Sequence, residues 1–169
     1  PDTGMSNTRD SSRFKLFLGD TGLFVTLMFK DKEFTENEIY EKLLNDKLSV
    51  KLGYLYENIV AQCLISNGNE LFYHTIMNKN SKHNYEVDFI IQNENNIIPI
   101  EVKAETNIKS RSLQKFKEKF KDDIKLRIRF SFENLKLDDD LLNIPLFMVD
   151  YTEKIINIAM NKLREKNNG

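Results

Sequence analysis

Two short apolar runs carry the residues best suited to chemistry: YEVDFII at positions 85–91 and IIPIEVKA at positions 97–104. The intervening Asn93 to Asn96 reads as a four-residue hairpin loop, which makes paired positions sum to 189 and sets Asp88 directly opposite Glu101. Like charges directly opposed destabilise a strand pair, and apolar neighbours raise the cost by keeping water away. Something has to offset that repulsion. Lys103 lies two residues beyond Glu101 and so points to the same face of its strand. Two converging carboxylates offer the hard oxygen ligands that Mg²⁺ takes, and an ammonium beside them can orient a water. The alternative is a salt bridge between Lys103 and one carboxylate, with the other turned to solvent.

A third carboxylate bears on that choice. Glu57 lies in LGYLYENIVAQCL, where its helical neighbours Gly53, Val60, Ala61 and Leu64 are all small or apolar. A glutamate is almost never fully buried without a partner. Either Glu57 sits at the stripe's edge and reaches water, or its helix packs on the two strands and adds an oxygen to the same site.

The elements that must position these residues follow from periodicity. Positions 1–13 are polar and expected to be irregular, Phe14 to Leu18 reads as a short strand, and Asp20-Thr21-Gly22 reads as a turn or helix N-cap before the apolar segment Leu23 to Phe29. Thr35 to Asn45 has the spacing of a capping box, with Thr35 three residues before Glu38. A longer helix is predicted from about Ser49 to Ser66, stopped by Asn67-Gly68. Three strands follow, Glu70 to Met77, Tyr85 to Gln92 and Ile97 to Ala104, the first two joined by the loop Asn78 to Asn84. Leu113, Phe116 and Phe120 fall at helical spacing behind Ser110 or Ser112 as a cap. Ile124, Leu126, Ile128, Phe130 and Phe132 then alternate with Lys125, Arg127 and Arg129, the pattern of a half-buried strand. After the acidic break at Asp138 to Asp140, Ile144 to Val149 is a further predicted strand and Thr152 to Glu165 a terminal amphipathic helix. The fold class expected is α/β with a mixed sheet, as one domain over 14–169.

Composition narrows the function. With 25 basic and 26 acidic residues the net charge is −1, which disfavours a uniformly basic nucleic-acid binder. The charges are unevenly spread, however. Lys103 to Arg129 carries 10 basic and 4 acidic residues, a +6 block in a chain of −1. That block is either a solvated face or a surface for phosphates. The single cysteine, Cys63, excludes an intrachain disulfide and suits a reducing cytoplasm. No apolar run approaches the roughly 18 residues of a membrane span, so no membrane partner is expected. His74, His83 and Cys63 meet no zinc-ligand spacing, and neither histidine has the neighbours of a Ser/His/Asp set.

Helix with Glu57, strand with Asp88, hairpin to Glu101-x-Lys103 and a following helix resemble the PD-(D/E)XK nuclease superfamily. More narrowly, DTGL at 20–23, GYLYEN at 53–58, EVDFII at 86–91 and IEVKA at 100–104 are similar to the C-terminal domain of predicted prokaryotic AAA-type ATPases, over roughly Phe14 to Val149. The resemblance implies a restriction-endonuclease-like αβββαβ core, with an extra N-terminal strand and helices and a C-terminal helix. It also implies that Asp88 and Glu101 hold Mg²⁺ or Mn²⁺, with the Val102 carbonyl as a further ligand and Glu57 as a ligand or a base behind them, and that Lys103 orients the attacking water or stabilises the transition state. Such a site makes the chain a candidate Mg-dependent endo- or exodeoxyribonuclease. Lys109, Arg111, Gln114, Lys117, Lys121 and Arg127, with Ser110, would then meet a DNA backbone. The alternative is a non-catalytic DNA- or partner-binding module attached to an AAA-type ATPase. The sequence has Val87 where the superfamily's nominal motif has Pro, and it holds no G-x-x-x-x-G-K-[ST], hence no ATP site of its own. We therefore expect this chain to be the carboxy-terminal part of a polypeptide whose upstream P-loop module is its partner.

Overall fold

The computed structural model describes residues 5, 10, 12, 14–29, 38, 41, 52–77, 84–104 and 110–168. The element order is α1 (Thr21–Phe29), α2 (Gly53–Ser66), β1 (Phe72–Ile76), β2 (Tyr85–Asn93), β3 (Asn96–Val102), α3 (Arg111–Lys119), β4 (Arg127–Ser131), β5 (Lys136–Asp138), β6 (Leu141–Pro145), a 3₁₀ turn (Leu146–Tyr151) and α4 (Thr152–Asn168). The strands form one mixed sheet in the order β1-β2-β3-β4-β6-β5. Pairing is antiparallel through the β1-β2-β3 meander and for β5-β6, and parallel for β3-β4 and β4-β6. The α/β class and the run of helix, three strands, helix, strand agree with the sequence expectation. Among the described residues, no helix is long and apolar enough to cross a membrane.

The two faces of the sheet bury different helices. Phe89, Ile91, Ile98, Ile100, Val102, Ile128 and Phe130 pack with Val60, Ala61 and Leu64 of α2 and Ile155, Ile156 and Ala159 of α4. Val87, Ile90 and Ile97 pack with Leu113 and Phe116 of α3 on the other side. Helix α2 ends where Gly68 adopts φ 84°, a left-handed value that costs glycine little, and the amides of Asn67, Gly68 and Asn69 close on the carbonyls of Cys63, Ile65 and Leu64.

Three elements differ from expectation. Phe14 to Leu18 is not a strand. The main chain of Leu18 instead bonds to side chains of α2, its amide donating to Asn58 Oδ1 at 2.8 Å and its carbonyl accepting from Asn58 Nδ2 and Gln62 Nε2. The strand expected over Ile144–Val149 ends at Pro145, which lacks the amide needed to continue the ladder, and Leu146–Tyr151 turns into 3₁₀ helix. Phe132, expected on the core side, is 63% exposed because β4 stops at Ser131. Asp20 does cap α1, accepting from the Leu23 amide at 2.8 Å. Ser110 occupies the N-cap position of α3 without a capping side-chain bond. The expected irregular start at 1–13, the helix over Thr35–Asn45, the lead-in at 49–51, the loop residues 78–83 and Lys109 lie wholly or mostly outside the described residues.

Candidate functional site

The β2-β3 hairpin has the predicted register, with Phe89 opposite Ile100 and Asn93 opposite Asn96, both summing to 189. Its loop is tighter than expected, two residues rather than four, because Glu94 accepts a left-handed φ of 53°. What the register alone did not convey is a bulge. Across β1, Phe72 pairs with Ile90 and His74 with Val87, so the single residue Tyr73 faces both Asp88 and Phe89. A bulge of this kind re-aims side chains. It explains why Val87 and Ile90, an odd number of residues apart, share the α3 face while Phe89 turns to α2.

The paired ladder of β2 and β3 ends at Phe89 and Ile100, one position short of Asp88 and Glu101. The Asp88 carboxylate fills the fork where β2 and β3 part, and Oδ2 accepts from the Val102 amide at 2.8 Å. There burial and then the Glu57 carboxylate push its pKa up to about 7, against the lowering effects of that amide and of Lys15. Glu57 itself is raised, first by burial and then by Glu86, while Lys15 and Lys103 pull the other way. Glu101 is paired with Lys103, whose Nζ lies 2.8 Å from Oε1. Its other oxygen, Oε2, is buried and has no hydrogen-bond partner. The structure thus brings Glu57 to Asp88 and Lys103 to Glu101, and Asp88 in turn feels the Glu101 charge.

Would these residues suit Mg²⁺ or Mn²⁺? Asp88 and Glu101 are hard oxygen donors flanking the Val102 main chain, and an orphaned buried carboxylate oxygen is the kind of atom a cation satisfies. Among the described residues, no group of three His, Cys, Asp or Glu stands close enough to hold a metal by side chains alone. Mg²⁺ is commonly held by one or two carboxylates and keeps several waters, so Asp88 and Glu101 are the two side chains that could serve it here.

The residues expected to meet DNA gather elsewhere. Ser110, Arg111, Gln114, Lys117, Lys121 and Arg127 line one cleft of about 790 Å³, together with Glu118, Asp139 and Asp140. Two of its cations are engaged: Arg127 binds Asp140 through both Nε (2.8 Å) and Nη2 (2.7 Å), and Lys117 Nζ lies 2.9 Å from the same carboxylate. Arg129, on the same strand, donates to Asn143, a buried residue that also bonds Ser131 and the carbonyls of Glu133 and Asn134.

Residues 52–147, more than half of the 169, match the family model described as "Domain of unknown function (DUF4143)". The chain belongs to this family. The DUF4143 match runs from the start of α2 past the end of β6, so it includes Glu57, Asp88, Glu101, Lys103 and the cleft of α3. No curated protein and no solved structure matches the chain. Lys15 lies outside the match, and sequence reasoning missed it. In the run Phe14-Lys15-Leu16-Phe17 the usual pattern is partly inverted, Phe14 and Leu16 being 70% and 85% exposed while the Lys15 side chain is only 22% exposed. Glu86, which pairs with Lys15, and Asp140 were missed too; the one signal for either was that Glu86 precedes Asp88 by two positions.

Proposed function

We propose that this DUF4143 domain is a metal-dependent phosphodiesterase of the nuclease type, acting on DNA. The observation that carries the reading is the fork itself: two adjacent, largely buried carboxylates, one taking up its proton near neutrality and the other with an unpartnered oxygen. Lys103 occupies one oxygen of Glu101 and Lys15 stands 4.0 Å from Asp88, so the pair is only partly matched by counter-charge, and a carboxyl raised by burial and a neighbouring charge is a candidate functional group. Bound Mg²⁺ or Mn²⁺ would supply that charge and the Lewis acidity that polarises a phosphate and activates a water. Asp88 Oδ1, Glu101 Oε2 and the Val102 carbonyl would hold it. Lys103 Nζ, already beside Glu101, would orient the attacking water and meet charge growing on the phosphate oxygens. Glu57 would act behind Asp88, as a further oxygen donor or as the group that receives the water's proton. The cleft of α3 would track the DNA backbone through Arg111, Lys121 and Gln114, which have no bond to Asp140.

The resemblance to the C-terminal domain of predicted prokaryotic AAA-type ATPases makes a P-loop ATPase module of a longer polypeptide the natural partner, and the single cysteine, Cys63, suits a reducing cytoplasm. A second reading, a non-catalytic docking module of such an ATPase, is favoured by one observation: Lys103 and Glu101 already neutralise each other at 2.8 Å. Calorimetric titration with Mn²⁺ separates the two. The wild type should bind at submillimolar to millimolar concentration, Asp88→Asn and Glu101→Gln should bind at least tenfold more weakly, and linear DNA should be cut only by the wild type. Absence of Mn²⁺ binding by the wild type at millimolar concentration defeats the enzymatic reading. Binding without cleavage of single- or double-stranded DNA favours the docking module.

A further inference from the structure

The α2 side of the fork contains a cation that the family-matched region does not supply. Lys15 comes from a segment without regular structure, anchored three residues later where Asn58 binds both main-chain groups of Leu18. Its ammonium is in an ion pair with Glu86, stands 4.0 Å from Asp88 Oδ1 and lies over the Tyr73 ring at 5.5 Å from the centroid. Tyr73 is the residue that faces the bulge, so the deformation that aims Asp88 and the ring that supports Lys15 belong to one feature. Around this ammonium are three carboxylates, Glu57, Glu86 and Asp88, and each of them acts on it. One ammonium among three acids leaves the cluster short of positive charge, and toward Asp88 it faces Oδ1, the oxygen that does not bind the Val102 amide.

We propose that Lys15 is the internal counter-cation of this site: shared between Glu86 and Asp88 while no divalent cation is bound, it gives up its share of Asp88 for Glu86 and the Tyr73 ring when one arrives, and so sets the site's affinity for metal. The proposal rests on the phosphodiesterase reading above. The geometry allows the exchange, because Lys15 already has its shorter contact with Glu86 and its longer one with Asp88, and a flexible four-carbon stem moves an ammonium with little cost. A cation a few ångströms from a carboxylate competes directly with any second cation for it.

The test is Mn²⁺ calorimetry on the full chain as wild type, Lys15→Met and Lys15→Arg, with folding checked by thermal unfolding in EDTA. Lys15→Met should bind Mn²⁺ about tenfold more tightly than the wild type, because a competing charge is gone. Lys15→Arg, which keeps the charge, should stay within about twofold of the wild type. A merely structural lysine would leave affinity unchanged or weaken it on removal, and either result in Lys15→Met overturns the proposal while the metal site stands. Mn²⁺ binding by neither wild type nor Lys15→Met overturns the phosphodiesterase reading, and this proposal with it. Should Lys15→Met not fold, Glu86→Gln serves instead: freed from Glu86, Lys15 should settle on Asp88 and weaken Mn²⁺ about threefold, and an unchanged Kd overturns the proposal.

Discussion

Asp88, within β2, and Asp140, in the turn before β6, are both aspartates of low exposure, with side chains 15% and 10% accessible, yet their surroundings treat them oppositely. Burial works against the charged form of each. At Asp140 it is outweighed by the Arg127 fork and Lys117, so the carboxyl titrates below its ordinary range. At Asp88 burial is joined by the Glu57 carboxylate, and one amide with a lysine 4.0 Å away cannot compensate, so the pKa rises to about 7. Desolvation alone therefore does not mark a site. The distinction lies in whether the fold supplies a matched counter-charge, as it does around Asp140, or leaves one to be found.

The largest test of that contrast is removal of each carboxylate. Asp140→Ala leaves Arg127, 14% exposed, without its bidentate partner, and breaking such a pair costs about 3–5 kcal/mol. Chemical denaturation at pH 7 should show that loss. Asp88→Asn should do the reverse at pH 8, where the wild type must keep a carboxylate ionised against burial and Glu57. Asparagine can still accept from the Val102 amide, so a gain of about 2–4 kcal/mol is expected in metal-free buffer. A loss of stability at pH 8 would show that Lys15 neutralises Asp88 more completely than its raised pKa implies.

Titration sets the two aspartates further apart, because their linkages have opposite signs. With a native pKa of about 7 and an unfolded value near 3.8, Asp88 holds a proton in the native state that the unfolded chain has released. Its contribution to stability is full below the unfolded value and is lost as pH rises toward 7, in all about 4 kcal/mol. Asp140, depressed in the native state, contributes above the unfolded value and loses that contribution as pH falls into acid. Metal-free wild type should therefore lose stability between about pH 4 and pH 7, Asp88→Asn should be flatter over that window, and millimolar Mn²⁺ should flatten the wild type as well. An equal slope in wild type and Asp88→Asn would remove Asp88 as its source.

A smaller effect is expected at Glu101. Its glutamine variant gives up the Lys103 ion pair, in which Lys103 is 30% exposed and can turn to water, and it removes a buried charge beside Asp88. The balance predicts a change within about 1 kcal/mol. A much larger loss would make the Lys103 pair structural and favour the docking module.

How far the sequence could disclose this arrangement depends on how local each cause is. The β2-β3 register was legible because a short polar loop between two apolar runs fixes pairing by counting. The α2 stripe and its stop at Asn67-Gly68 were legible because both signals lie within one turn of helix. The aim of Asp88 was not, since the bulge depends on how Tyr73 of another strand divides two residues of β2. Lys15 was hidden for a related reason: alternating apolar residues imply a strand, but here Leu18 spends its main-chain bonds on Asn58 and Gln62. Arg127 showed its charge but not its partner, because Asp140 reaches it only through the pairing of β4 with β6 and the turn before β6.

That concealed partner decides the smallest effect. Counted along the chain, the +6 block is a strong attraction for phosphate; in the cleft, Arg111, Lys117, Lys121 and Arg127 are set against Glu118, Asp139 and Asp140, leaving a net of +1. Arg127 and Lys117 serve Asp140 and would have to be released before they met DNA, whereas Arg111 and Lys121 have no such tie. Charge reversal at Arg111 and Lys121 should therefore weaken DNA binding and lower the salt slope by about one for each phosphate no longer neutralised, with stability changed by less than about 0.5 kcal/mol. Charge reversal at Lys117 should act mainly on stability, through Asp140. Fluorescence anisotropy of labelled DNA at several salt concentrations, read beside denaturation curves, separates the two classes of lysine. If Lys117 and Lys121 prove alike in both measurements, the ion pair at Asp140 opens on DNA, and the matched carboxylate belongs to the binding surface after all.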